Sequence, residues 1–566
     1  MANLNFWLTQ SPKNATVLNP YVSSDLDGFS DEQWWPPHAS IVSDTTVSTL
    51  TTHYPVEANV RVIQYIKTQS YFDDYYNRIH ISPSTLELGN VASEQVSTVN
   101  LWNAYLVPKT LQSIDGLQEG LNVSSQPTPP FIFSALQERA WDVSILPDGP
   151  SAIDVDLTWN FGSDSAVLNI TGTRIVAFGW LVDWTGSVKE TYTWLTDILQ
   201  SVTGYEQRRS LRLAPRINYE ADLLLYDKER QFFDLAMIGW GAKTFAVPVW
   251  PQQQWLKTAH AIGALTIYCD TTYRNFRANR LAVLRGETAF QNETVEIESV
   301  LADRLILKRA LQNNWPAGTC LSPAVTAQLN SYPQLTKRND RMMRTTVSLD
   351  VTEPVDHDEY IPSITYRNYP VFAIAPNETN DLTHSHERLL QELDSSTGLK
   401  LRNDPAKAAF GLYQYAWLTY GRLEQYQLKG LFHALRGSQK AIWLPTFSDD
   451  LTLTAIITAN SQYMDIAYCG FTRFALGQLG RQDIQITLKN SDVLYRRITA
   501  ATEVSSTTER LAVDGSFTAR INPADVIRIS FMSLCRLSND ILSIEHINDS
   551  DGNAKASVTF RGVRES

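Results

Sequence analysis

The charged side chains most able to do chemistry lie close together in the segment EQRRSLRLAPR. Glu206, Arg208, Arg209, Arg212 and Arg216 alternate with other residues there, and we predict that they lie along one strand. Alternate side chains of a strand share a face, so one face would be strongly cationic. That face could bind acidic loops of a neighbouring subunit or line a channel through which DNA passes. A third interpretation is a solvated face, on which a Glu206–Arg pair contributes only about 0–1 kcal/mol. We favour the subunit interface.

Two other segments contain side chains that can bind metals, VDHDEY at residues 355–360 and HSHE at residues 384–387. Both fall in or beside a predicted connection between domains, where charged loops are normal, so we predict no metal site. The sequence has no Gly-rich phosphate loop, no G-x-S-x-G motif and no Cys/His pair with catalytic spacing. No segment places two acids in a context specific for a glycosidase. We therefore predict that the protein is not an enzyme and has no cofactor.

The cationic segment belongs to a stretch that occurs twice in the chain, with an offset of 194 residues that grows slowly towards the C-terminus. Because the register holds through many landmarks, the sequence predicts two diverged copies of one domain, residues 179–360 and 361–566. The matched landmarks include Thr203-Gly204 with Thr397-Gly398, Arg208 with Arg402, Tyr219 with Tyr413, Tyr226 with Tyr420, Pro248 with Pro445, and Cys269 with Cys469.

Each copy has the same order of structural signals. In the first copy, the apolar segment TYTWLTDILQSV precedes the Thr-Gly turn, and the basic segment and the alternating run INYEADLLLY follow it. The segment DKERQFFDLAMIG then predicts a helix, and in the second copy Leu423, Tyr426, Leu431 and Leu435 recur at helical intervals. Glycines are expected to end both helices in left-handed conformations. The apolar runs FAVPVWP and AIWLPTF that follow predict edge strands or strand ends, because proline cannot donate to a ladder.

The stretch before the Thr-Gly turn has a second interpretation. Residues 188–202 also fit a helix, with Ser187 and Glu190 as a capping box. We favour a strand, because Thr, Tyr and Trp are dense there.

Length and charge limit what the chain can be. A chain of 566 residues exceeds the size of one core and predicts three or four domains. Its net charge of -12 makes nucleic acid and anionic membranes poor partners. No apolar run reaches the roughly 18 residues of a membrane span, and the first residues lack a signal-peptide pattern. We expect a protein that is folded in the cytoplasm, with its four cysteines as free thiols.

Two further regions precede the repeats. Residues 1–78 are rich in Ser, Thr, Asp and Pro but contain several aromatics, which predicts an arm lying on another domain or subunit; loops and short strands are the alternative. Residues 79–178 have short alternating strands with frequent turns, which indicates a β-sandwich. Their segments SPSTLELGNV, VNLWNAYLVPKTL and LNITGTRI resemble immunoglobulin-like modules of the ASH-related kind. The predicted fold is therefore mainly β: this immunoglobulin-like β-sandwich plus two tandem β-barrel or sandwich domains, each with one flanking helix.

The repeated part carries a second resemblance. The segment TDILQSVTGYEQRRSLRLAPRINYEADLLL is similar to a segment of distal-tail proteins of long-tailed bacteriophages and gene-transfer agents. The second copy keeps Gly398 and Arg402, but it has Lys400 in place of the acidic residue and Phe410 in place of the last arginine. The residues that match the pattern in the first copy are Thr196, Gly204, Glu206, Arg208, Arg216 and Tyr219.

The resemblance implies a structural protein of the tail tip, or baseplate, that forms a ring between the tail tube and the central hub or fibres. Gly204, Glu206, Arg208, Arg209, Arg212, Arg216, Gly398 and Arg402 would then lie at subunit interfaces. The expected partners are further copies of the chain, the tail tube protein, the hub and fibre proteins, and peripheral fibres bound through residues 79–178. The protein would reside at the tail tip of a virion made in the bacterial cytoplasm, with no membrane contact and with DNA only as cargo through the lumen.

The duplication favours a homotrimer, because three chains present six similar domains around one axis. A homohexamer is the alternative. A carbohydrate-binding adhesin and, further from the sequence pattern, a β-rich glycosidase are the other functions that these residues leave open.

Overall fold

The computed structural model of the protein describes residues 75–91, 94–146, 149–150, 152–372, 374–378, 382–548 and 551–564. Strands contain 49% of the residues and helices 8%, which confirms that the chain is mainly β. Residues 1–74 of the predicted N-terminal arm lie outside the described part. The described residues divide into two compact units, of which one comprises residues 75–87, 95–145 and 154–171, and the other comprises residues 88–91, 94, 146, 149–150, 152–153 and the described residues from 172 onwards.

The first ten strands are short, and most of them belong to the first unit. They are β1 (Ile79–Ser82), β2 (Thr85–Val91), β3 (Gln95–Asn103), β4 (Lys109–Leu111), β5 (Ser113–Asp115), β6 (Leu121–Ser124), β7 (Phe131–Phe133), β8 (Glu138–Ile145), β9 (Ala152–Asn160) and β10 (Ser165–Ala177). In the first unit, one sheet has the order β1-β3-β8-β6, and β4 pairs with β7 and β5 with β9. Buried aromatics fill its core: Trp141 stacks on Phe133 with ring centroids 5.6 Å apart and meets the edge of Trp159 at 6.1 Å.

The first half of the repeated part, residues 179–360, contains thirteen strands up to β23 and one long helix, α1. They are β11 (Val188–Thr193), β12 (Thr196–Gln200), β13 (Glu206–Ser210), β14 (Arg216–Tyr226), α1 (Asp227–Trp240), β15 (Thr244–Pro248), β16 (Gln254–Trp255), β17 (Thr266–Tyr268), β18 (Leu281–Arg285), β19 (Asn292–Leu301), β20 (Arg304–Leu307), β21 (Cys320–Leu329), β22 (Thr336–Lys337) and β23 (Met342–Val351). A short β24 (Thr365–Tyr366) and β25 (Tyr369–Pro370) follow as a separate pair.

After β24 and β25, the second half, residues 361–566, continues with twelve more strands and two helices. They are β26 (Thr383–Arg388), β27 (Gln391–Leu393), β28 (Leu401–Asn403), β29 (Ala409–Thr419), α2 (Arg422–Leu435), β30 (Ile442–Pro445), β31 (Tyr463–Ala467), α3 (Phe471–Phe474), β32 (Asp483–Leu488), β33 (Val493–Ser505), β34 (Thr508–Val513), β35 (Val526–Leu537), β36 (Ile541–His546) and β37 (Ala554–Gly562). Two 3-10 turns, Trp250–Gln252 and Pro523–Asp525, complete the repeated part.

The two halves pair their strands in corresponding orders. In the first half the ladders run β11-β14-β23-β21, and β21 also pairs with β15 and β18. In the second half they run β26-β29-β37-β35, and β35 also pairs with β30 and β32. The registers agree with the sequence offset, since Glu190 is opposite Tyr219 and His384 is opposite Tyr413.

One additional ladder joins the halves. β11 of the first half pairs antiparallel with β36 of the second half over six residues. A single cluster of buried side chains then extends through both halves, from Phe178 and Trp250 to Phe372 and Phe560. The ladders branch, and none closes a barrel among the described residues.

The predicted helices and the strand interpretation of residues 188–202 are confirmed, because α1, α2, β11 and β12 lie where expected. The prediction for the helix ends was half right. Gly241 has a φ of −56°, so α1 does not end in a left-handed glycine at this position. At the end of α2, Arg436 and then Gly437 are left-handed, with φ of 52° and 64°.

Candidate functional site

The predicted site residues do not lie on one strand. Gly204 is in the turn of the β12–β13 hairpin, and β13 ends at Ser210, before Arg212 and Arg216. The Ser210 hydroxyl donates to the carbonyl of Arg212, a local bond that competes with continuation of the ladder. Arg212 in turn donates to the carbonyl of Thr193 at 3.2 Å, so the expected continuous cationic face does not form.

The remaining arginines of the segment have different surroundings. Arg209 and Arg216 are exposed, whereas Arg208 is half-buried. Arg208 lines a cavity of about 550 Å³ together with Glu206, Tyr369 and Leu431, and burial lowers the pKa of its guanidinium. The predicted single strand with a continuous cationic face is therefore wrong, whereas a role of these residues at a subunit interface stays a prediction.

Glu206 is the centre of a buried ion cluster that joins the two halves. Its side chain is 3% exposed, and its carboxylate accepts two bonds from Arg536, at 2.8 and 3.0 Å. Arg561 donates a third at 2.5 Å. Burial alone would raise the pKa of Glu206, but the two guanidinium groups offset this effect and hold the pKa below its usual value. Glu206 is thus a permanent anion at neutral pH.

Gly204 brings the hairpin turn against the second half. It has a φ of +86°, and a Cβ at this position would lie 2.2 Å from a ring carbon of Phe410. Any other residue would be strained by the backbone conformation and would clash with the ring. The glycine is therefore required by the close approach of the hairpin to β29.

Two further contacts fix the hairpin. Arg564 donates to the carbonyl of Thr203, and its guanidinium lies over the ring of Tyr205, 5.0 Å from the centroid. At the other end of the hairpin, the Thr196 hydroxyl donates to Asp540 at 3.0 Å. Both ends of the hairpin are therefore held by residues of the second half.

A second buried cluster surrounds Glu190, in the ladder between β11 and β36. One carboxylate oxygen accepts from Lys429 at 2.6 Å and from His546 Nε2 at 2.7 Å. The other oxygen accepts from the hydroxyls of Tyr192 at 2.7 Å and Tyr219 at 2.9 Å. All four donors come from side chains that are nearly inaccessible, so the carboxylate is enclosed by four hydrogen-bond donors.

The charge state of this cluster follows from the same contacts. Burial would raise the pKa of Glu190, but Lys429 and His546 hold it well below its usual range. Burial lowers the pKa of His546, which therefore stays neutral: Gln425 donates to its Nδ1 at 2.8 Å while Nε2–H donates to Glu190. Burial and the Glu190 charge raise the pKa of Tyr192 and Tyr219 well above its usual value. The cluster is a buried ion pair, in which the side chains of Glu190 and Lys429 are 3% and 5% exposed.

This geometry is suited to holding domains together. A catalytic acid or base must reach a substrate, and the side chains of Glu190, Lys429 and His546 are all sealed from solvent. Each cluster takes its anion from the first half and its cations from the second. The two clusters therefore hold the two halves together within one compact unit.

The matching residues of the second half lie in the open. Gly398 has no atom within 4 Å of its Cβ direction, and its hairpin β27–β28 is exposed throughout. Lys400 and Arg402 both bind Glu392 of the same hairpin, at 2.9 Å. The structure thus brings Gly204 and Glu206 to an interface and leaves Gly398 and Arg402 at the surface of the chain.

The cationic partners were missed from the sequence. Arg536 and Arg561 lie more than 300 positions after Glu206, in strands whose local pattern carries no sign of an ion pair. Lys429 occupies a buried position of α2, where a charged residue is unexpected. That anomaly could have marked it as the partner of a buried acid.

Two minor expectations also have outcomes. All four cysteines are free thiols, as predicted, and Cys469 is exposed. The segment HSHE lies on β26 rather than in a loop.

Comparison of the sequence with models of known protein families and with curated proteins finds no match. In the described part of the chain, no helix is long and apolar enough to cross a membrane.

Proposed function

We propose that the chain is a structural subunit of a bacteriophage tail tip, where it forms a ring joining the tail tube to the central hub and fibres. The observation that carries the proposal is that residues of the motif resembling distal-tail proteins contact the other half of the chain. Three residues of the motif contact the neighbouring half of the chain directly: Thr196, Gly204 and Glu206. Tyr219 binds an acidic side chain that contacts this half. A motif that docks one domain on the next is what a ring requires.

The proposed architecture has three parts. Residues 179–360 and 361–566 are two copies of one ring domain, each with one long flanking helix, and the corresponding ladder orders support this assignment. Residues 79–178 are an immunoglobulin-like sandwich that binds peripheral fibres. Six ring domains around the axis would be supplied by three chains, so a homotrimer is favoured over a homohexamer. DNA would pass through the lumen as cargo.

The test is to purify the full chain and to measure the mass of the particle in solution, with negative-stain microscopy of the same sample. We expect rings whose mass is three times that of the 63.8 kDa chain. A mass of six chains would replace the trimer with the hexamer. A protein that stays a single chain at high concentration, and that binds or cleaves polysaccharide, would replace the tail-ring function with the adhesin or glycosidase function.

A further inference from the structure

The two halves differ at one strand edge. In the first half, β11 lies between β14 and β36, so both of its edges are paired. In the second half, β26 occupies the same place beside β29, but no described strand pairs with its other edge. All six residues of β26 are exposed. An open edge of this length presents unpaired N–H and C=O groups and is a template for another strand.

The first half has the complementary unpaired strand edge. β36 pairs with β37 on one side and with β11 on the other. The corresponding strand of the first half is β22, which pairs with β23 but has no second partner among the described strands. β22 is exposed, and Tyr332 just before it is 90% exposed. Among the described strands of the repeated part, β26 therefore has an unpaired edge in the second half, and β22 has the corresponding unpaired edge in the first half.

We propose that β26 of one chain pairs antiparallel with residues 332–337 of a second copy of this chain, in the register that β11 and β36 use internally. By the strand registers, His384 would then lie opposite Leu335, as Glu190 lies opposite Ile544. Pro333 has no N–H, so the ladder would run from Gln334 to Lys337. The inference deepens the proposed ring, on which it rests, by naming the surfaces that close it.

Charge complementarity at the hairpins supports this pairing. Inside the chain, Glu206 meets Arg561. In the second half, Lys400 takes the position of Glu206, because the β12–β13 and β27–β28 ladders have matching registers at an offset of 194 residues. In the first half, Asp350 takes the position of Arg561, as the ladders of β14 with β23 and of β29 with β37 show. Asp350 is exposed. The second-half hairpin would therefore place Lys400 against Asp350 of the neighbour, an opposite-charge pair with the signs exchanged.

The Glu190 cluster also has different residues at both of its charged positions in the proposed contact. Its cation, Lys429, comes from α2, and the matching position of α1 is Asp234, since both helices have 14 residues and bury matching positions. The position of Glu190 itself is taken by His384. In the proposed contact, His384 of one chain would face Asp234 of the next. Lys400 and Asp350 thus exchange the signs of Glu206 and Arg561, and the acidic Asp234 takes the place of Lys429.

The exposed face of α1, compared with the covered face of α2, also supports this contact. His433 of α2 is buried, because Tyr192 and Trp194 of the first half pack over it at ring distances of 5.4 and 5.6 Å, and Gly430 is buried against Asp358 and Tyr360. The matching residues of α1 are apolar and open, with Leu235 68% and Ile238 82% exposed. The second half of a neighbouring chain would cover this apolar face in the way that the first half covers α2. The contact is head-to-tail, so it closes into a ring when the rotation between neighbours permits.

A cysteine pair tests the register directly. Inside the chain, Thr191 Oγ1 and Ser543 Oγ are 3.1 Å apart across the β11–β36 ladder. Ser385 and Gln334 are the matching positions, and both are exposed. The variant with Ser385→Cys and Gln334→Cys should form disulfides between chains under mild oxidation. Denaturing electrophoresis without reductant should show covalent dimers and trimers, and mass spectrometry should identify the 385–334 linked peptide.

The matched control is the variant with Thr191→Cys and Ser543→Cys, which should form its disulfide within one chain and leave the mass unchanged. The two single variants of the tested pair show any linkage made by the native thiols. Multi-chain particles without a 385–334 link would overturn the inferred interface and leave the ring itself standing. A chain that remains single at high concentration, with no link, would overturn both the interface and the ring.

A charge exchange tests the hairpin contact. Lys400→Glu would place two carboxylates together, and we expect the dissociation constant between chains to rise by about tenfold or more. Adding Asp350→Lys to the same chain should restore association to within about threefold of the starting protein. Both variants should keep the original unfolding temperature of the isolated chain, because Lys400 and Asp350 are exposed. Unchanged association for Lys400→Glu, or no recovery in the double variant, would contradict the proposed contact.

Discussion

β11 and β26 occupy the same place in the two halves, yet their surroundings are opposite. β11 is covered by β36, and its Glu190 is sealed in an ion cluster with Lys429 and His546. β26 is open, and His384 at the corresponding position is exposed. A strand edge in this protein is therefore not defined by its own half alone. β11 is paired along both edges by strands of this chain, whereas β26 is paired along one edge among the described strands.

The same contrast holds for the hairpins. The first-half hairpin is fixed through Glu206 and Gly204 to residues of the second half. The second-half hairpin binds only its own charges, through Lys400 and Arg402. In the isolated chain, changes in the first half should affect stability, whereas matched changes in the second half should affect only association.

The largest difference is expected at Glu190. Glu190→Gln removes a buried anion and leaves Lys429 without its counter-charge, which should lower the free energy of unfolding by about 3–5 kcal/mol. The matched change His384→Gln should alter it by less than about 0.5 kcal/mol, because this side chain is exposed. Denaturant unfolding of the dilute chain measures both. Equal effects would contradict the distinction between a closed and an open edge.

Glu206 should have the next largest effect. Glu206→Gln leaves Arg536 and Arg561 partly uncompensated in a buried site and should destabilise the chain by about 2–4 kcal/mol. Lys400→Gln at the matching position should leave the unfolding midpoint of the dilute chain unchanged. The same denaturant titration decides this, and a loss of stability for Lys400→Gln would mean that the second hairpin is also docked within the chain.

The two hairpin glycines separate the same regions by shape rather than charge. Gly204→Ala places a methyl group against Phe410 at a positive φ and should cost about 1–3 kcal/mol. Gly398→Ala has open space around it and should be tolerated. Thermal unfolding of the two variants beside the starting protein gives the comparison. An unchanged unfolding temperature for Gly204→Ala would show that the hairpin can shift away from the Phe410 side chain.

The smallest expected effect is the acid dependence of the Glu206 contact. The folded-state pKa of Glu206 lies below the usual value, so its contribution is present above the unfolded-state pKa of about 4.3 and is lost as the pH falls further. One carboxylate changes the slope by at most about 1.4 kcal/mol per pH unit. The stability of Glu206→Gln should therefore fall less steeply than that of the starting protein between about pH 4 and 2. Parallel curves would indicate that Glu206 is not held by its arginines.

Local patterns in the sequence determined the elements of the repeated part. Alternation of apolar residues in INYEADLLLY predicted β14, and helical spacing predicted α1 and α2, since these signals lie within one element. The offset of 194 residues agrees with the ladders, which place Glu190 and His384 at matching positions. The predicted continuous strand through Arg216 failed, because Ser210 and Arg212 form a local bond that ends it.

The sequence by itself therefore determined the mainly β class, the long helices and the residues of the hairpin motif. Only the tertiary structure decided which partners those residues meet. His546 lies 356 positions from Glu190, and Arg536 lies 330 positions from Glu206. Contacts at such separations depend on the pairing of β11 with β36, and strand pairing is set by the packing of whole sheets rather than by the residues of either strand.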